Sequence, residues 1–214
     1  MKIIIAGSTG LVGSILTNKL IQHHDFQIET LTRKPVSINS PHHNSVIDWD
    51  SWGPTQLIGD VFICCLGTTI KAAGSPEQFR KVDFDYVKKF AEVAKNSGAK
   101  KFIFISSNGA DAKSRVLYTR TKGETEKMLI DLNFESLALL RPSLLIGERS
   151  ENRPFEKIAQ KIMPHLNFIL QGSLEKFQTI EAEIVADYIE KLVSKDWIGV
   201  HFIESDSIKK GLFK

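Results

Sequence analysis

The apolar run Ile3-Ile4-Ile5 leads directly into Gly7-Ser8-Thr9-Gly10-Leu11-Val12-Gly13, and apolar residues continue at Ile15, Leu16 and Leu20. No other stretch restricts the fold of this chain as tightly. A short continuous apolar run reads as a strand covered on both faces, and Leu11–His23 has helical spacing. The glycines between them have separable physical tasks. Gly7 permits the tight exit from the strand, Gly10 lets a ligand approach the backbone, and Gly13 allows close helix–strand packing. A helix starting near Leu11 offers free amides and the positive end of its dipole to a pyrophosphate. The spacing is Gly-x-x-Gly-x-x-Gly, and its place between strand and helix marks Gly7, Ser8, Thr9, Gly10, Leu11, Val12 and Gly13 as a dinucleotide-binding turn.

The alternation continues along the chain. Gln27–Thr32 and Ser45–Asp48 read as short strands and Asp60–Leu66 as a buried one. Pro76–Asn96 reads as one long helix with the apolar stripe Phe79, Val82, Tyr86, Phe90 and Val93, capped by Ser75-Pro76 and ended by Gly98. Lys101–Ser106 is a strand, a helix covers the region of Arg115–Asp131, and Ser136–Arg141 is a strand ended by Pro142. Glu183–Ser194 reads as a helix and Val200–Ile203 as a last strand. Such repeats predict an α/β fold: a doubly wound parallel sheet with helices on both faces. The whole of 1–214 reads as a single domain. Residues 147–176 break the pattern, with Pro154 and Pro164, and are expected to form a small C-terminal substrate lobe closing over a ligand.

Composition narrows the functional classes. Lysines and arginines number 28 against 25 acids, a formal charge of +3, and both signs are interspersed. No nucleic-acid surface is expected from that balance. Cys64 and Cys65 are adjacent, so strand geometry points them to opposite faces and disfavours a disulfide. They read as small buried residues in a reducing compartment. The first strand begins right after Met1, leaving no room for a signal peptide, and no apolar stretch approaches membrane-span length. The expectation is a soluble cytoplasmic protein with no membrane partner.

Four further places carry chemistry. After the second strand stands Thr32-Arg33-Lys34-Pro35, two cations where an acid would accept the ribose hydroxyls of NAD. Arg33 and Lys34 suit an extra phosphate, so NADP(H) is favoured over NAD(H). Asp48 could bond the adenine amino group. Cys65-Leu66-Gly67-Thr68 closes the fourth strand of the crevice, with Gly67 and Thr68 suited to the passage of a ribose. Tyr118 and Lys122 lie four residues apart, on one face of a helix. A nearby ammonium lowers a phenol's pKa enough for acid–base work. Ser106 or Ser107, just past a strand end, would position a substrate carbonyl, with Ser107 the first choice. The pairs His23-His24 and His42-His43 lack ligand-spaced companions and read as solvated loop residues, with no metal expected. Trp49 and Trp52 read as an edge of the core, and Lys122–Lys127 beyond Lys122 as a solvated helix face.

These residues resemble the short-chain dehydrogenase/reductase superfamily in its extended or atypical form, and more closely its Tat-interacting-protein-like branch. The resemblance is carried by Cys64-Cys65-Leu66-Gly67-Thr68-Thr69, Ala73-Gly74-Ser75, Lys81-Val82-Asp83 with Tyr86, Ser106 to Asp111, Tyr118 to Glu124, and Leu140-Arg141-Pro142-Ser143. It implies a Rossmann-like fold, NADPH binding, and a catalytic set of Ser107, Tyr118 and Lys122, with Pro142 and Ser143 flanking the nicotinamide. The expected function is an NADPH-dependent oxidoreductase of a small carbonyl-type substrate, with Tyr118 as proton donor. Two alternatives stand open: a non-enzymatic NADPH-binding regulatory module, and a nucleotide-sugar-type epimerase or dehydratase. The sequence leaves a homodimer or a protein partner open as well.

Overall fold

The computed structural model describes residues 1–53, 57–147 and 179–213. Its strands in chain order are β1 (Lys2–Ala6), β2 (Gln27–Thr32), β3 (His43–Val46), β4 (Val61–Cys64), β5 (Lys101–Ile105), β6 (Ser136–Arg141), β7 (Leu145–Ile146), β8 (Ile180–Glu181) and β9 (Gly199–Glu204). Seven of them form one sheet in the order β3-β2-β1-β4-β5-β6-β9, and β7 pairs with β8 alone. Every pairing among the described residues is parallel. The chain moves outward from β1 through β3 and then crosses to β4, so the order reverses between β1 and β4. In a sheet of this kind the ligand crevice opens at that reversal, beyond the carboxyl ends of the strands.

Burial explains the strands. Ile3, Ile4 and Ile5 are wholly buried because helices cover both faces. One face packs Ile3, Ile5, Ile63, Ile103 and Leu140 against α1 (Leu11–Leu20) and α6 (Ala182–Val193). The other packs Ile4, Phe62, Phe102, Phe104 and Leu137 against α4 (Tyr86–Asn96) and α5 (Leu117–Asp131). Cys64 belongs to the second core and Cys65 leans on the first, both as free thiols, as the alternation of strand side chains predicts. Burial pushes the Cys64 thiol up to about 12, and the Cys65 thiol higher still, so neither is a ready nucleophile.

The expected single helix Pro76–Asn96 is three elements. After the short α2 (Ile70–Ala73) come α3 (Pro76–Arg80), a π-helical turn over Lys81–Asp85, and then α4. Ser75 caps α3, its Oγ accepting from the Gln78 N–H at 3.2 Å. The wider turn shifts the buried stripe. Phe79, Asp83, Val87 and Phe90 are buried, whereas Val82 and Tyr86 are only half-buried. A strict period of 3.6 puts Val82 and Tyr86 inside; one residue more per turn brings Asp83 there instead.

Other differences are local. The third strand runs over His43–Val46 rather than Ser45–Asp48, in register with Glu29–Thr32 of β2. His42 is half-buried, with the Ile28 N–H donating to its Nδ1 at 3.2 Å and Ile21 O 3.2 Å from its Nε2. His23 pairs with Glu190 at 2.6 Å. His42 therefore holds structure, whereas His23 remains exposed beside Glu190, and His24 and His43 are exposed as expected. Trp49 is buried as a core edge, stacked on Tyr86 with ring centres 5.6 Å apart. The pairing of β7 with β8 and the terminal helix α7 (Ser205–Lys210) had no clear sequence signal. Of the proposed lobe, residues 148–176 lie outside the described residues. Among the described residues no helix is long and apolar enough to cross a membrane.

Candidate functional site

The glycine turn is built by contact. Gly7 has φ +85°, a left-handed conformation, and a Cβ there would fall 2.6 Å from the Cys65 carbonyl carbon. A Cβ on Gly13 would lie 2.1 Å from the Gly7 carbonyl oxygen. The start of α1 is thus pressed against the ends of β1 and β4, which requires glycine at both places. Gly10 is different: a Cβ there would meet only the Gly7 oxygen, at 3.3 Å, so its outer side is open. Among the described residues no side chain caps the α1 N-terminus that it begins. Open backbone and an uncapped helix start fit a pyrophosphate. Ser8 is buried, while Thr9 and Gly10 face outward.

Beside this turn lies a cavity of about 570 Å³ between α1 and residues 36–42, lined by Ser8, Thr9, Ser14, Thr30, Ser37 and His42 among others. Arg33 and Lys34 are exposed at the nearby end of β2, and no carboxylate among the described residues pairs with either. Asp48 is exposed and holds its own turn. It accepts from the Asp50 N–H at 3.1 Å and the Ser51 hydroxyl at 2.8 Å, bonds that hold its carboxyl below the ordinary range.

The proton-transfer candidates gather across the crevice, away from that cavity. Tyr118 opens α5, half-buried, with its ring stacked on Phe79 at 5.6 Å. Lys122, one turn on, is buried, and its Nζ lies 2.8 Å from Asp83 Oδ1. The other carboxylate oxygen of Asp83 accepts the Thr68 N–H at 2.8 Å, so the π turn, the β4 exit and α5 meet at one carboxylate. A Cβ at Gly67 would sit 3.5 Å from both Asp83 Oδ1 and Lys122 Nζ. Burial alone pulls the Lys122 ammonium down. The Asp83 carboxylate, with Tyr118 and Cys64 adding to it, outweighs that cost and holds Lys122 above its ordinary value.

Ser106 and Ser107 part ways. Ser107 is half-exposed and its Oγ donates to the Asn108 carbonyl at 3.1 Å, whereas Ser106 is buried with no hydroxyl partner among the described residues. Pro142 ends β6, and its carbonyl accepts the Asn108 N–H at 2.9 Å. The Ser143 and Ser205 hydroxyls are 2.8 Å apart. Cys65 and Leu66 lead from β4 into the Gly67 turn.

Sequence reasoning assigned no role to Asp83 and misread the rest of α5. Glu126 is buried and grips Arg141 through two bonds, Nε to Oε1 at 3.0 Å and Nη2 to Oε2 at 2.6 Å. The expected solvated face beyond Lys122 is therefore partly an internal clamp. Its acids found partners on α3 and β6, Glu124 with Arg80 and Glu126 with Arg141.

A fold with this crevice and this turn defines a class, and comparison with known proteins agrees. Residues 3–176 match the model of the NAD dependent epimerase/dehydratase family, and the chain belongs to that family. It is 37% identical over 172 residues to protein HTATIP2 of Rattus norvegicus, covering 77% of this chain and 71% of that one. It is 39% identical over 167 residues to the mitochondrial protein FMP52 of Lodderomyces elongisporus, covering 72% and 70%. These relatives bear out the atypical short-chain dehydrogenase/reductase branch. Among solved structures it is similar to MoeE5 in complex with UDP-glucuronic acid and NAD, with TM-score 0.74 at 14% identity over 95% of this chain and 76% of that one. It is also similar to the oxidoreductase ylbE of Lactococcus lactis, with TM-score 0.67 at 23% identity over 99% and 96%. Both likenesses bear out the Rossmann-like fold.

The cytoplasmic expectation is overturned. Several relatives, at 37–39% identity, are named as mitochondrial. Unpaired thiols report on redox state, and that does not separate the cytosol from the interior of an organelle.

Proposed function

We propose that this protein is an NADPH-dependent oxidoreductase that reduces a small carbonyl compound. The observation that carries the reading is the pair Tyr118 and Lys122 on one face of α5, with Lys122 buried, charged and in contact distance of the Gly67 turn. Bound along the crevice, the nicotinamide would supply the hydride. The chain's residues do the rest. The glycine turn and the α1 start hold the pyrophosphate, and Arg33 and Lys34 take the extra phosphate that distinguishes NADPH. Pro142 and Ser143 flank the nicotinamide. Lys122 bonds the adjoining ribose and presents positive charge to Tyr118. The phenol then gives its proton to the carbonyl oxygen as charge develops there. Ser107, or Ser106 behind it, orients that oxygen.

Calorimetric titration tests the cofactor first. NADPH should bind at least tenfold more tightly than NADH, and Arg33→Ala should erase most of that difference, about 1.4 kcal/mol. Equal binding of both would sink the Arg33–Lys34 reading. A carbonyl screen then follows NADPH loss. Tyr118→Phe should reduce turnover by two to four orders of magnitude, roughly the span of general acid catalysis, while NADPH still binds. Turnover that leaves NADPH unconsumed would point instead to the epimerase or dehydratase chemistry in the family's name.

A further inference from the structure

Strand β2 ends in polar residues that its burial does not call for. Thr30 and Thr32 are 2% and 5% exposed, two positions apart and so on one face, where valine would fill the same space without a hydroxyl to satisfy. Asn44 of β3 stands beside Thr30 in the parallel register. Its half-buried side-chain amide joins them: Nδ2 lies 2.9 Å from each threonine Oγ1, and Oδ1 accepts the Val36 N–H at 3.0 Å. A backbone N–H can only donate, which fixes the end of the amide that faces Val36. Thr32 accepts from Asn44 and gives its own proton to the Lys34 carbonyl at 2.7 Å.

Both outward bonds of this network end on the basic turn. The Lys34 carbonyl and the Val36 N–H are the anchored groups, one on each side of Pro35, whose ring fixes φ and offers no N–H of its own. Arg33 lies between the Thr32 side chain and the carbonyl it holds. The backbone is thus stapled to the sheet at two points, while Arg33 and Lys34 stand exposed. Parallel strands are usually joined by a helix that packs on the sheet, but neither helix nor strand lies between β2 and β3. The polar network takes the place of that packing.

We propose that Thr32 and Asn44 are positioning residues for cofactor choice: they hold the Arg33–Lys34 turn in the shape that grips the extra phosphate of NADPH. The inference rests on the reading of Arg33 and Lys34 given above. Long cationic side chains on a loose turn must give up backbone as well as rotamer freedom to close on a phosphate. On a stapled turn only the rotamers remain to be ordered. NADH has no such phosphate, so its binding draws nothing from the staple.

The test compares two substitutions at one position by calorimetric titration of the full chain with NADPH and with NADH. Thr32→Val keeps the shape and loses the hydroxyl, whereas Thr32→Ser keeps the hydroxyl. Thr32→Val should weaken NADPH binding about fivefold, the worth of one hydrogen bond, and leave NADH affinity within about twofold. Thr32→Ser should keep the native preference. In an Arg33→Ala background, Thr32→Val should cause no further loss of preference, because the group it positions is gone. If Thr32→Val does not fold, the triple variant Thr30→Val, Thr32→Val, Asn44→Leu removes every polar side chain of the network together and leaves the exposed Val36 to water. It should fold and show the same selective loss. A native preference in the folded variant, an equal fall in NADH and NADPH affinity, or a loss in Thr32→Ser as large as in Thr32→Val would overturn the proposal alone. A native protein without preference for NADPH would overturn the reading of Arg33 and Lys34, and the proposal with it.

Discussion

Helix α5 sends two charged side chains into the protein one turn apart, and they meet very different fates. Glu126 receives the guanidinium of Arg141 through two parallel bonds, and Arg141 also reaches Glu204 at 3.1 Å. Lys122 faces Asp83 through one contact of 2.8 Å. The arginine side chain is 21% exposed and the lysine 4%, so the better-bonded pair is also the better-solvated one. Arg141 and Glu126 meet through two parallel bonds that tie α5 to β6, as a planar fork does well. Lys122 is buried at greater cost with donors left over, beside a phenol and against the Gly67 turn. A charge enclosed that far and bonded that incompletely is hard to explain by stability alone.

That contrast can be broken by removing one member of each pair. Lys122→Ala leaves the Asp83 carboxylate buried without its cation and should cost about 3–5 kcal/mol in chemical denaturation, the largest effect expected. The pH sign follows from the lysine's raised value. Its contribution is fully present below the ordinary lysine value of 10.5 and fades as pH rises through the higher folded-state value. Native protein should therefore lose this stability only in strong alkali, and Lys122→Ala should show no such loss. A rise in native stability between pH 7 and about 10 that Lys122→Ala abolishes would mean the ammonium is not held charged. Glu126→Gln should cost less, about 1.5–3 kcal/mol, because Arg141 keeps Glu204 and some solvent. NADPH affinity should stay within about twofold, well under the 1.4 kcal/mol of a tenfold change. A large loss of affinity in Glu126→Gln would show that the two pairs are not separate in function.

How much of this was readable beforehand depended on distance along the chain. The glycine turn is contiguous, and its three steric demands act on neighbours within a few residues or on the strand beside it. Tyr118 and Lys122 are visible because one helical turn is a local spacing. The sheet was readable for the same reason, through runs such as Ile3-Ile4-Ile5 and Phe102-Ile103-Phe104 that are buried on both faces. Asp83 was not. It stands beside an apolar stripe whose period assumes 3.6 residues per turn, and only the π turn rotates it inward. Glu126 looked solvated because its partner Arg141 comes 15 residues later, on a strand whose side-chain direction at the sheet end is set by packing. The Asp48 carboxylate was equally opaque: an acid after a strand can meet a ligand or cap a turn, and here Ser51 and the Asp50 amide engage it.

The smallest effect supplies the control. Lys88 and Glu92 lie one turn apart on α4, 3.8 Å from each other, with side chains 49% and 46% exposed. Their charges resemble those of the inner pairs, but water solvates both in the folded and unfolded chain, so Coulomb attraction gains little and salt screens what remains. Lys88→Ala should change stability by no more than roughly 0.3–0.5 kcal/mol, and less as ionic strength rises. The three variants then rank by enclosure: Lys122, Glu126, Lys88. If urea titrations gave Lys88→Ala and Glu126→Gln the same cost, burial would not be what separates these pairs. Bond number would fail with it, since Glu126 has two bonds to Arg141 and Lys88 a single contact, and Lys122 would have to be judged on its titration alone.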